Sequence, residues 1–136
     1  MVSSGHVTQI STGFPCSLLV TPQVTGDHLN IAKETARLVG LSTNIMLGSA
    51  TRDGSYERDE LVRHAGGFAQ VLPRDKRECV LILQRSYGLV VGMTGDGVND
   101  APALSAAECG IAVSDATDAA KNAAAMIMTG QCRLVY

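Results

Sequence analysis

Short, unbroken apolar runs alternate with helix-patterned stretches through the second half of the chain, and that alternation limits the possible architectures more than any other feature. "LVVGMT" (89–94), "GIAVS" (110–114) and "MIMT" (126–129) read as strands. Between them lie "PRDKRECVLILQRSYG" (73–88), "DAPALSAAE" (100–108) and "DATDAAKNAAA" (115–125), each with helix start signals. Pro73 suits the first turn of the longest, Cys79, Val80, Leu83 and Tyr87 share one face, and Gly88 can stop it. Asn99 or Asp100 can cap the next, with Pro102 in its first turn. Strands that are apolar throughout, separated by helices, call for a parallel sheet covered by helices on both faces.

The first half fits the same plan less fully. "HLNIAKETARLV" (28–39) places Ile31, Ala32, Thr35, Leu38 and Val39 at helical spacing, with Gly40 to end the helix. The stretch 42–59 is polar and turn-rich and reads as a surface connection. "DELVRHA" suggests a short helix and "GFAQVL" a short strand. No element is assigned before Val24, and Pro22 would interrupt a central strand there.

A length of 136 residues suits one modest domain. The net charge of −2 offers no basic excess for a phosphate backbone, so nucleic acid is not an expected partner. Cys16, Cys79, Cys109 and Cys132 have no C-x-x-C spacing and read as ordinary buried thiols rather than a zinc site or disulfide framework. No apolar stretch reaches the roughly 18 residues of a membrane helix.

Parallel sheets of this kind bind ligands at the carboxyl ends of their strands. Two T-G-D triplets, Thr25-Gly26-Asp27 and Thr94-Gly95-Asp96, fall where strands end, so the fold should carry both to one rim. The second continues as "GDGVND", with Asp96, Asn99 and Asp100 on one tight turn. A dinucleotide fingerprint fails there, because Asp100 stands at the third glycine and carboxylates repel a pyrophosphate. An EF-hand fails as well, with Ala101 and Ala107 at its sixth and twelfth places. Two carboxylates and an amide suit Mg²⁺, which takes one or two carboxylates together with phosphate oxygens and water. For phosphoryl transfer, Thr25 and Gly26 can cradle phosphate oxygens and Lys76 can balance their charge. A nucleophilic Asp at the end of a first strand is missing, since no Asp or Glu precedes Asp27.

"MTGDGVNDAPAL" closely resembles the hinge signature of P-type ATPases, and "TGDHLNIAKETARLVGL", "GFAQVLPRDK" and "GIAVSDATDAAKNAA" resemble further parts of their phosphorylation domain. The resemblance covers about residues 24 to 129 and implies a haloacid-dehalogenase-like, Rossmann-like α/β fold, here incomplete. Within the family these segments look most like the plasma-membrane proton pumps; calcium and sodium pumps usually carry an arginine where Gln70 stands. The resemblance implies ATP and Mg²⁺ as cofactors, H⁺ as the transported cation, an aspartyl-phosphate intermediate, and a place on the cytoplasmic side of the plasma membrane, anchored through segments absent here.

By the same resemblance, Asp96 and Asp100 bind Mg²⁺, Asn99 and Asp100 complete the network around the phosphate, Thr25 and Gly26 hold its oxygens, Lys76 neutralises them, and Asp27 lies towards the ribose. Departures are the missing D-K-T-G-T, Pro22 and Gln23 where an apolar run is usual, Ser105 in place of lysine, and Glu108 in place of aspartate. The expected organisation is an unassigned lead-in over 1–23, the C-terminal part of a phosphorylation domain over 24–130, and a truncated tail over 131–136. The fragment alone is expected to be inactive. Two alternatives use the same residues: a soluble phosphatase of the same superfamily, which would need an N-terminal D-x-D, and a non-catalytic Mg²⁺- or nucleotide-binding module.

Overall fold

The structure, a computed structural model, describes residues 4–10, 22–52 and 56–130. The expected tail over 131–136 lies outside them, as do Cys16 and Cys132. The chain forms one sheet from β1 (Ser4–Ile10), β2 (Gln23–Thr25), β3 (Ile45–Leu47), β4 (Gly67–Ala69), β5 (Val90–Gly95), β6 (Cys109–Ala112) and β7 (Met126–Ile127), in the order β3-β4-β2-β1-β5-β6-β7. The helices are α1 (Leu29–Leu38), α2 (Tyr56–His64), α3 (Pro73–Tyr87), α4 (Ala101–Ala106) and α5 (Asp118–Ala123).

The parallel α/β reading holds for every strand but β1. The pairs β2–β4, β3–β4, β5–β6 and β6–β7 are parallel, whereas β1 runs antiparallel to both β2 and β5. β1 corrects the sequence reading, which assigned nothing before Val24. "SGHVTQI" has the length of a strand but not the apolar content that would mark a central one, so its pairing comes from the sheet around it. Pro22 precedes β2 rather than breaking it, because the strand begins at Gln23, where a ladder N–H first becomes available. The stretch 42–59 also holds more than a connection: β3, a 3₁₀ turn over Gly48–Thr51, and the start of α2.

Helices pack on both faces of the sheet and form two separate clusters. The main core gathers Val62 of α2, Cys79, Val80 and Leu83 of α3, Ala103 and Leu104 of α4 and Ala120 of α5 against Phe68, Val91 and Met93 of the sheet. On the opposite face α1 sets Ala32 and Ala36 against Ile45 and Ala69. Ile31 and Leu38, expected on the buried face of α1, are instead more than half exposed. Small alanines let this helix lie close to the sheet, and the buried stripe follows them rather than the larger side chains.

Two backbone features finish the frame. Gly88 ends α3 in the left-handed conformation at φ 62, accepting no Cβ penalty, as its place after the helix predicts. Gln70 adopts φ 54, which is costly for a residue with a side chain, and so ends β4 after Ala69 instead of letting it run on to Leu72. Gln23 departs from ordinary core chemistry: it is fully buried, and neither side-chain amide atom has a hydrogen-bond partner among the described residues.

Candidate active site at the carboxyl rim

β2 and β5 run in the same direction on either side of β1, so Thr25 and Gly95 close two strands at one rim. Ser4 of β1 pairs with Thr25, and His6 pairs with Thr94. At ordinary strand spacing the two ends stand about 10 Å apart. The rim expected for the two T-G-D triplets therefore forms.

On the β2 side, Thr25 is buried and its hydroxyl donates to Asp27 Oδ2 at 2.8 Å. The Asp27 amide returns a hydrogen bond to Thr25 Oγ1 at 3.2 Å, so the loop closes on itself. The segment after β4 zips onto it: the amide of Val71 donates to the Thr25 carbonyl at 3.1 Å, and that of Gln70 to the Asp27 carbonyl at 2.9 Å. Gly26 is exposed between them, with its backbone open to a ligand.

On the β5 side, the turn is organised around Asp100. A 3₁₀ turn over Val98–Asp100 leads into α4, and the Asp100 carboxylate folds back so that Oδ2 accepts the amides of Asp96 and Gly97, each at 3.3 Å. Gly95 makes this possible. A Cβ at position 95 would lie 2.6 Å from the Asp100 Cβ, a distance real atoms do not tolerate. Asp96 and Asn99 are left at the surface of the turn, half-buried and exposed respectively. The Asp96 carbonyl also accepts the Thr117 amide at 2.8 Å, and Thr117 caps α5 by accepting from Ala120.

Lys76 ties α3 to the acidic turn. From the first turn of α3 its Nζ donates to Asp100 Oδ1 at 2.6 Å, and both side chains are almost fully buried. The contact is a hydrogen-bonded ion pair out of reach of water, so removing either partner would leave the other buried without its counterpart. It fixes the position of the lysine at the rim. Among the described residues no group of three or more His, Cys, Asp or Glu could by itself hold a metal. The carboxylates at this rim are donors of the kind Mg²⁺ takes, one or two at a time, with phosphate oxygens and water.

Thr25, Gly26 and Asp27 thus share one loop and Asp96, Asn99 and Asp100 another, with Lys76 linked to the second. Asp100 is more buried than a metal ligand needs to be, since Oδ1 faces Lys76 and Oδ2 the turn amides. Arg52 and Asp75, absent from the sequence reading, lie just behind Lys76: Arg52 donates twice to Asp75 Oδ2, at 3.1 and 2.7 Å. Burial pushes the Asp75 carboxyl up, but the Arg52 hydrogen bond, the Leu72 amide and the Arg52 and Arg74 charges outweigh it and leave it below the usual carboxylate range. The signal available in the sequence was Asp75 three residues into a helix opened by Pro73, an N-terminal capping position. Nothing in the sequence pointed to Arg52 as its partner.

The chain is similar to several known proteins. The haloacid dehalogenase-like hydrolase family matches residues 90–132, which include β5 and the acidic turn. The chain is 50% identical over 116 residues to a plasma membrane ATPase of Dunaliella bioculata, covering 78% of this chain and 10% of that protein. It is 48% identical over 117 residues to a putative cation-transporting ATPase of Methanocaldococcus jannaschii, covering 81% of this chain and 14% of that protein. A solved structure of the catalytic domain of the CPx-ATPase CopB-B is 29% identical, with a TM-score of 0.43, covering 82% of this chain and 44% of that one. The curated relatives bear out the resemblance to the P-type ATPases, and the family match bears out the haloacid-dehalogenase-like fold. The chain spans only about a tenth to a seventh of the length of those relatives. No helix among the described residues is long and apolar enough to cross a membrane.

Proposed function

We propose that residues 24–130 are the C-terminal part of the phosphorylation domain of an ATP-driven cation pump that works through an aspartyl phosphate, and that they supply its Mg²⁺ and phosphate site. The observation that carries this reading is the buried Lys76–Asp100 pair, which ties the helix carrying the cation to the acidic turn at the rim that also holds Thr25. Proton is the cation favoured by Gln70, through the resemblance of "GFAQVLPRDK" to the proton pumps. The pump would sit in the plasma membrane, with this segment on the cytoplasmic side.

Each residue has a role its surroundings support. Asp96, half-buried at the end of β5, would hold Mg²⁺, which when bound offsets the charge of phosphate oxygens. Asp100 backs that site by fixing the Asp96 and Gly97 amides and by orienting Lys76. Lys76 places a fixed positive charge beside the phosphate in a water-poor setting, where its effect on a developing negative charge is largest. Thr25 and the open Gly26 backbone hold phosphate oxygens, exposed Asn99 lies within the same turn, and Asp27 faces the nucleotide side. The aspartyl nucleophile would come from outside residues 24–130.

The test is Asp96→Ala in a full-length pump carrying this segment. Turnover should fall by orders of magnitude at every Mg²⁺ concentration. Near-normal ATP hydrolysis at saturating Mg²⁺ would refute the role given to Asp96.

A further inference from the structure

The first turn of α3 carries two buried charged side chains in succession, and they reach in different directions. Asp75 faces the 3₁₀ turn over Gly48–Thr51, while Lys76 faces the acidic turn after β5. Neighbouring residues on a helix project about 100° apart, so the rotation of α3 that satisfies both contacts is narrowly set, and turning the helix away from it disturbs the two together.

We propose that Arg52 and Asp75 are positioning residues for Lys76, setting the rotation of α3 about its axis so that the ammonium meets Asp100 at the rim. This inference rests on the proposed phosphate role of Lys76. Arg52 is well placed for the task. It directly follows a turn that Thr51 closes by donating its hydroxyl to the Gly48 carbonyl at 2.8 Å. That turn is seated on the lead into α3, because a Cβ at Gly48 would come within 3.0 Å of the Val71 Cα.

Asp75 accepts from the Leu72 amide at 3.0 Å as well as from Arg52, so one carboxylate oxygen joins the helix start to the turn. The Val71 amide on the Thr25 carbonyl anchors the chain just before the helix but leaves its rotation free. Within the first turn, the side chains that resist rotation are Asp75 towards Arg52 and Lys76 towards Asp100. Lysine has a long flexible stem, so the direction in which its Cα presents it decides whether the ammonium is held or wanders. Arg74, at 3.7 Å from Asp75 and three-quarters exposed, is too loosely held to substitute for Arg52.

The test uses the whole 136-residue chain labelled with ¹⁵N-lysine, and reads the Lys76 ammonium directly by NMR. Buried and bonded, that ammonium should exchange its protons slowly with water. Arg52→Gln changes a side chain that is 38% exposed and should leave the fold intact. The expected result is at least about fivefold faster exchange of the Lys76 ammonium, with the core amides of Val80 and Leu83 unchanged, and recovery in Arg52→Lys. Asp75→Asn should reproduce the loss.

An unchanged Lys76 ammonium in both Arg52→Gln and Asp75→Asn would overturn the inference. So would equal acceleration of the core amides, which marks a purely structural role, or the lack of a protected Lys76 ammonium in the wild-type chain. Titration with inorganic phosphate and Mg²⁺ separates this inference from the proposed function. If the wild-type chain takes up phosphate and Arg52→Gln weakens it severalfold, both stand. If wild type shows no phosphate contact at Thr25, Gly26 or Lys76, the phosphate reading fails, and the ammonium measurement, which needs no ligand, still decides the positioning.

Discussion

Lys76 and Asp100 stand 24 residues apart in the chain and meet at 2.6 Å with almost no solvent contact. One lies in the first turn of α3 and the other at the start of α4, so a single ion pair joins the helix before β5 to the helix after it.

Removing one partner strands the other. Lys76→Met leaves a buried carboxylate without its cation and should cost about 3–5 kcal/mol of folding stability, with Asp100→Asn in the same range. The double variant should lose less than the sum of the two, as expected for groups in direct contact. Urea denaturation of the three variants checks this, and strict additivity would show that the pair is not coupled.

Gly95 is required by the space Asp100 occupies. Gly95→Ala places a methyl group against the Asp100 Cβ and should destabilise the chain by about 1–3 kcal/mol through overpacking. The amide shifts of Asp96 and Gly97 should move more than those of β7, because the displaced carboxylate is the acceptor of both amides. Wild-type stability in Gly95→Ala would mean that the turn relaxes freely.

Gln23 runs the other way. Its buried amide has no partner among the described residues, and such a group costs about 1–3 kcal/mol. Gln23→Leu, with similar volume and no polar atoms, should raise stability by roughly that amount. A thermal denaturation series including Gln23→Met reads the gain; a loss in both variants would show that the amide is satisfied in solution.

Asp75 gives a pH signature. Its folded-state carboxyl titrates below its ordinary value of 3.8, so its contribution is complete above that value and is lost as pH falls through the lower folded value. Wild-type stability should therefore drop more steeply below about pH 4 than that of Asp75→Asn. Parallel curves for the two proteins would remove Asp75 from the account.

The legible parts of this chain were those fixed by local signals. Pro73 and Gly88 bound α3, and the buried face of Cys79, Val80 and Leu83 follows from spacing alone. The rim was legible because T-G-D occurs twice at strand ends. What escaped was set by distant neighbours: β1 owes its pairing to the gap between β2 and β5, and Gln70 owes its left-handed backbone to the hydrogen bonds that tie 70–71 to 25–27. The buried stripe of α1 moved to Ala32 and Ala36 because the sheet selects small side chains there, which periodicity does not report. The resemblance implies a metal role for Asp100, and residue type gives no sign that its carboxylate is fully buried, with Oδ1 on Lys76 and Oδ2 on the turn amides.

Mg²⁺ binding through Asp96 on the turn after β5, as proposed, is tested by an NMR titration of the 136-residue chain with Mg²⁺. Saturable shifts should centre on the amides of Asp96, Gly97 and Asn99, abolished by Asp96→Ala and kept in Asp118→Ala. Shifts spread evenly over all surface carboxylates, or unchanged in Asp96→Ala, would contradict it.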